Sequence, residues 1–156
     1  MRTQVRTVLV VLLLTGVALW GADRNAGTWK MNPAKSKYTT DHPAPKSLIV
    51  TIEEQPGGMV LDAKGEDASG GPLHVHYSAK FDGKDYPATG AGDGSNTVSV
   101  KRIDANTVET TNKKNGQVTT RIRSVVSEDG KTRTSTWTGP DSKGQQETWT
   151  VVFDKQ

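Results

Sequence analysis

Leu73, Val75, Tyr77, Ala79 and Phe81 alternate with His74, His76, Ser78 and Lys80. Successive side chains of a strand point to opposite faces, so this run has one apolar face and one polar face. That pattern suits an antiparallel sheet with a buried side and a wet side. Weaker runs of the same period recur from Gly27 to Phe153, separated by Gln55-Pro56-Gly57-Gly58, Asp82-Gly83-Lys84, Asp104-Ala105, Asn115-Gly116 and Asp129-Gly130. Asn-Gly and Asp-Gly tolerate the positive φ that tight hairpins need. Short hairpins join antiparallel neighbours, so the chain reads as all-β, a single antiparallel meander of about nine to ten strands. A meander of this length hides its edges by closing, which predicts a closed or nearly closed barrel. Only Pro33-Ala34-Lys35-Ser36 suggests a helical turn, and the segment around Tyr86 is a weak strand.

The N-terminus reads differently. Arg2 and Arg6 precede a wholly apolar run from Val8 to Leu14 that continues to Leu19 and ends in Gly21-Ala22. A basic start, a short apolar run and small residues describe a secretory signal peptide, and the run is too short to span a bilayer. Residues 1–22 are therefore expected to be removed, leaving 23–156 as one β-barrel-like domain in the periplasm or outside the cell. Arg2 and Arg6 carry two of the charges behind the formal balance of +3, so the mature chain is nearly neutral. Net charge then gives no footprint for nucleic acid. With no cysteine, the chain has no disulfide, no thiolate metal site and no lipid-anchored cysteine. Only 33% of residues are hydrophobic, and many of those lie in the signal, so the core should be thin and partly polar.

Gly27-Thr28-Trp29 resembles the opening of lipocalins and other calycin barrels. The resemblance implies that Trp29 closes the barrel base beneath a basic residue from the end of the last strand, here Lys155. The wider pattern Gly27-Thr28-Trp29, Asn32, Lys35-Ser36, with Pro43-Ala44-Pro45-Lys46-Ser47 and the segment Lys101 to Glu109, is similar to a family of short exported bacterial proteins. That likeness implies a barrel-like domain in the cell envelope or outside the cell, and no particular activity.

His74 and His76 share one strand face, and Asp62 is expected on the wet face of the preceding strand. The two histidines are weak candidates for a metal site, with Asp62 a conceivable third ligand to Zn or Cu; two ligands without a fixed third fall short of a zinc centre, and the polar face favours solvated histidines. Glu53 and Glu54 are consecutive and face opposite ways, so they form no acid–base pair. No G-x-S-x-G is present, and Gly90-Ala91-Gly92-Asp93-Gly94-Ser95 precedes no helix, which leaves it a flexible loop rather than a phosphate cradle. Arg121 and Arg123 share one face of a long strand, with Arg133 on its hairpin partner. Pointing inward, Arg121 and Arg123 would grip a carboxylate; the apolar alternates Val118, Ile122 and Val126 instead make an outward basic stripe. Trp29, Tyr77, Phe81, Trp149 and Phe153 fall on apolar faces and are the candidate ligand-binding residues of a hollow barrel, alongside Arg121 and Arg123.

These features favour a non-enzymatic module that binds a small apolar or amphipathic molecule. They call for no catalytic residue, cofactor, nucleic acid or membrane insertion, and suit a monomer. One alternative is an isomerase or hydrolase using histidine, which requires His42, His74 or His76 to face a pocket beside an acid. The other is a structural or interaction protein of the envelope with a filled interior.

Overall fold

The computed structural model describes residues 23–156; the expected signal peptide lies outside the described residues. Ten strands follow one another: β1 (Gly27–Met31), β2 (Ser47–Gln55), β3 (Gly58–Glu66), β4 (Pro72–Lys80), β5 (Asp82–Thr89), β6 (Thr97–Arg102), β7 (Thr107–Lys114), β8 (Gln117–Val126), β9 (Thr132–Pro140) and β10 (Gln146–Lys155). Each pairs antiparallel with the next, and β1 pairs with β10 to close the barrel. The all-β meander expected from the alternation is therefore present and fully closed. Pro33 to Ser36 forms a hydrogen-bonded turn, not a helix.

Register follows the apolar pattern. Antiparallel partners share a face, so Leu61↔Tyr77 and Ala63↔Val75 both point inward, while Asp62↔His76 and Lys64↔His74 point outward. The Asn115-Gly116 turn has positive φ at both residues, 49° and 83°, as a two-residue hairpin requires. The β4–β5 seam is the most thinly paired, with only His76↔Thr89 and Tyr77↔Ala88 in register.

One end of the barrel is packed shut. Trp29, Ile52, Met59, Val100, Val108 and Val126 are almost wholly buried there. Lys155 Nζ sits 5.0 Å above the Trp29 ring, as the calycin likeness implied, and the Trp29 indole donates to the carbonyl of Asn25 at 2.8 Å. Asp23 lies beneath, buried, ion-paired to Arg102, whose guanidinium also covers the Phe81 ring at 4.3 Å. Burial works to raise the Asp23 carboxyl, but the Arg102 hydrogen bond and charge and the Asn25 amide outweigh it and hold Asp23 below the usual carboxylate range.

Asp23 is thus a group whose folded pKa is depressed, and its contribution to stability exists above the unfolded pKa and is lost as pH falls through the folded one. We predict that Asp23→Asn costs about 3 kcal/mol near neutral pH, because it leaves a partly buried cation unpaired. In urea titrations the gap between the two proteins should narrow as pH falls below the ordinary carboxylate range. A gap that stays constant with pH would assign the loss to packing instead.

Candidate functional site

Above this base the barrel is hollow. A cavity of about 420 Å³ runs from the core to the opposite end. Its walls differ in chemistry. Val50, Leu61, Ala63, Val75, Ala88 and Val98, on β2 to β6, form an apolar side. Thr110, Asn112, Thr120, Ser124, Arg133 and Ser135, on β7 to β9, form a polar side. Much of that polar side is paired internally: Ser124 Oγ lies 2.8 Å from Ser135 Oγ, and Asn112 Nδ2 donates to Thr120 Oγ1 at 2.9 Å.

Arg133 is different. It is buried, and it lines the cavity. Its Nε has no hydrogen-bond partner, and no carboxylate lies within ion-pair distance of it among the described residues. The Phe153 ring lies 5.8 Å from its guanidinium carbon. Burial pushes its pKa down to about 10, so it is still a cation at neutral pH. Tyr77, also on the cavity wall, has its hydroxyl pKa raised by burial, with Thr110 and the Arg133 charge acting the other way.

The inward position of Arg133 follows from register. Ile122↔Trp137, Ser124↔Ser135 and Val126↔Arg133 are partners on β8 and β9, and Ile122 and Val126 face the interior. The alternation of Val118, Ile122 and Val126 on β8 groups Arg133 with an outward basic stripe, and β9 itself, with Thr or Ser on both faces, shows no apolar alternation to correct it. The usable signal was the pairing of β9 with the better-patterned β8.

The other candidates fall in different places. Tyr77, Trp149 and Phe153 line the cavity; Trp29 and Phe81 sit in the packed base and are not part of its wall. Arg121 and Arg123 are exposed on the outer face, where Arg123 Nη1 lies 2.5 Å from Glu109 Oε1, so neither reaches the interior. Val118, expected in the core with Ile122 and Val126, is exposed, because a register shift at Asn112/Lys113 reverses the parity of β8 at that point. His74 and His76 are on the outer face around Asp62: His74 Nε2 is 2.6 Å and His76 Nδ1 3.6 Å from Asp62 Oδ1. Lys64 Nζ holds the other oxygen at 2.6 Å, and hydrogen bonds from Lys64 and then His74 lower Asp62 to about 2. This is a Lys64–Asp62 ion pair flanked by two imidazoles; among the described residues no group of three or more His, Asp or Glu side chains is arranged to hold a metal ion.

The open end is covered by the β1–β2 connection. Tyr38, Asp41, His42, Pro43 and Pro45 all contribute to the cavity wall. The segment is tied to β10 and the loop before it by the Lys37↔Thr150 bridge, a 2.8 Å hydrogen bond from Thr39 Oγ1 to Glu147, and two 3.1 Å bonds from Ser142 to Asp41. His42 stacks on Trp149 with centroids 3.6 Å apart, and Trp149 stacks on Trp137 at 5.9 Å. His42 thus faces the cavity near an acid, but its Nε2 is 3.8 Å from Glu147 Oε2, too far for a hydrogen bond, and that oxygen accepts from Thr39 instead. The ring serves as packing at the mouth.

The Gly-rich loop is held, not loose. Asp93 Oδ2 accepts from Thr119 at 2.7 Å and its Oδ1 from the Ser95 amide at 2.9 Å. Gly90 has a φ of +76°, and a Cβ there would come within 1.6 Å of the His74 carbonyl.

No family model matches the chain, and no curated protein sequence matches it. Among solved structures, the chain is similar to the zebrafish ileal bile acid-binding protein complexed with cholic acid. The two share 12% identity at a TM-score of 0.57, over 85% of this chain and 99% of the zebrafish one. At this identity the likeness concerns the fold: a closed antiparallel β-barrel of the lipocalin and calycin type.

Replacing Asp93 by Ala should speed amide hydrogen exchange in the 90–96 loop while lowering global stability by only about 1 kcal/mol. Unchanged exchange there would mean that Asp93 does not hold the loop.

Proposed function

We propose that the barrel is a non-enzymatic binding module for a small amphipathic molecule with an anionic group, held with its apolar part against β2 to β6 and its anion at Arg133. The observation that carries this reading is the buried Arg133 cation, which has no counter-charge among the described residues. An unpaired buried charge is costly, and buried charges are otherwise paired. A ligand carboxylate would supply two oxygens to a guanidinium in matching geometry. The zebrafish protein of the same shape is complexed with cholic acid, which supports an interior ligand of this kind. The partly polar interior and the cavity favour binding over a filled structural barrel.

The module acts after export, on the strength of the N-terminal sequence. Its outer face carries Arg121, Arg123, Glu109 and Lys64, which suits water and not lipid, where a spanning barrel needs an apolar band. The closed sheet leaves no long strand edge among the described residues for a second copy to extend, which supports a monomer.

Arg133→Met tests the reading through a trade-off. The variant without ligand should be more stable than the parent by about 1–3 kcal/mol, because an unpaired buried charge is gone. The folded pKa of Arg133 lies below its unfolded value, so the parent recovers stability as pH rises through about 10 and the gap should narrow there. Affinity for a fluorescent fatty-acid analogue, followed by the emission of Trp137 and Trp149, should fall at least about tenfold, while Arg121→Ala leaves it unchanged. Equal binding by the parent and Arg133→Met would refute the assignment of the anion site.

A further inference from the structure

The apolar wall of the cavity thins toward the mouth. On β3 the inward side chains run Leu61, Ala63, Gly65 from base to rim. On the other side of β4 they run Tyr86 and Ala88 on β5, then Gly90 just beyond it. The backbone enforces the small end of both series. A Cβ at Gly65 would come within 2.0 Å of the Ser47 carbonyl oxygen, and the His74 carbonyl excludes one at Gly90. Leu48 and Leu73 flank Gly65 in register; both line the cavity and are only partly buried, so they form an apolar lip.

The two sides of the mouth are closed differently. Over β9 and β10 the stacked rings of His42, Trp149 and Trp137 fill the space, and the first part of the strap is bonded to β10 through Lys37 and Thr39. Over the apolar wall the cover is Pro43-Ala44-Pro45, and both prolines line the cavity. Proline has no N–H and holds φ at about −65°, so this piece is stiff and poor in donors. The bonds that flank it run from the His42 amide to Thr39 Oγ1 at 3.2 Å and from Lys46 Nζ to the Ser69 carbonyl at 3.5 Å; among the described residues none comes from Pro43, Ala44 or Pro45. Ala91 and Gly92 complete this part of the rim and have no side-chain donor or acceptor to fasten it. A Cβ at Gly92 would meet no atom within 4 Å.

Arg133 pairs with Val126 of the packed base, so a tail that starts there has only the mouth to run to. Resting on the reading of Arg133 as the anion site, we propose that the ligand's tail lies along β3 to β5 and emerges between Pro43–Pro45 and Ala91–Gly92, with the Pro43–Pro45 flap as the lid of the entrance. The walls of this channel are Leu, Val, Ala and Pro, which favour hydrocarbon and leave a polar substituent unpaired. The ligand class is therefore a single-chain acid with an unsubstituted tail. Because the channel ends at an open rim, long-chain acids fit with their last carbons at the Leu48–Leu73 lip.

Stearic acids carrying a nitroxide near the carboxylate (5-doxyl) or near the tail end (16-doxyl) test this through the broadening of amide resonances of the protein. The tail label should erase most of the intensity of Ala44, Gly65, Ala91 and Gly92, and the head label that of Arg133 and Ser135. Ala88→Leu, which narrows the channel, should weaken stearic acid at least about fivefold. Gln117→Leu, in the groove on the other side of the mouth, should leave it unchanged. Tail-label broadening at Asn115, Gln117 and Lys143 instead, or stearic acid binding to Ala88→Leu as tightly as to the parent, would overturn the channel while leaving the anion site standing. The reverse pattern, with the tail label at Arg133 and the head label at the lip, would sink the anion site and this inference with it. No broadening by either label would refute interior binding altogether.

Discussion

Closure of the sheet by β1 and β10 is the constraint on which the rest depends. The strand that closes it is only Gly27–Met31, so few backbone bonds hold the seam. Side chains do much of the holding. Met31 pairs with Phe153, Trp29 pairs with Lys155 and packs beneath its ammonium, and the residues just before β1 reach across to Arg102 through Asp23. One end of the barrel is therefore dense, apolar and latched by a buried ion pair. Among the described residues the opposite end has no such plug, only a strap of chain tied to β10 and the loop before it.

That asymmetry produces the cavity. A barrel of ten strands encloses more space than a thin set of apolar side chains can fill, and the diameter grows with strand number. This chain fills the base with Trp, Ile, Met and Val and then lines much of the remainder with Val, Ala, Thr and Ser, beside Tyr77, Trp137, Trp149 and Phe153. Small side chains on a wide ring leave a hollow. Placing the polar ones on β7 to β9 gives that hollow two different walls, and Arg133, on the polar wall, has no counter-charge among the described residues. A packed structural barrel gains nothing from such an arrangement; under the proposed reading, a ligand anion supplies the missing partner.

Strands and turns were legible wherever alternation was clean. β4 announces its faces residue by residue, and Asn115-Gly116 marks its hairpin unambiguously. The strands β7 to β9 hide theirs, because Thr, Ser and Asn sit on both sides and cost little on either. There the inward face is decided by the neighbours, through the register of Ile122 with Trp137 and of Val126 with Arg133. The same dependence explains why Arg121 and Arg123, more conspicuous in the sequence, lie outside while Arg133 lies inside. Val118 shows the opposite case: its alternation along the strand is plain, but a bulge that no local pattern announces turns it to solvent. Trp29 and Phe81 are inward-facing aromatics as the sequence suggested, yet position along the barrel axis, not face, separates a wall residue from a base residue.

The central claim is that a ligand anion meets the Arg133 guanidinium inside the barrel. The Nε–Hε resonance of Arg133 reports on this directly in an NMR titration with decanoate. The account predicts a large downfield shift of that one resonance and protection of its proton from exchange, with the exposed Arg121 and Arg123 signals unmoved. An Arg133 resonance that stays in place while the surface arginines respond would contradict it.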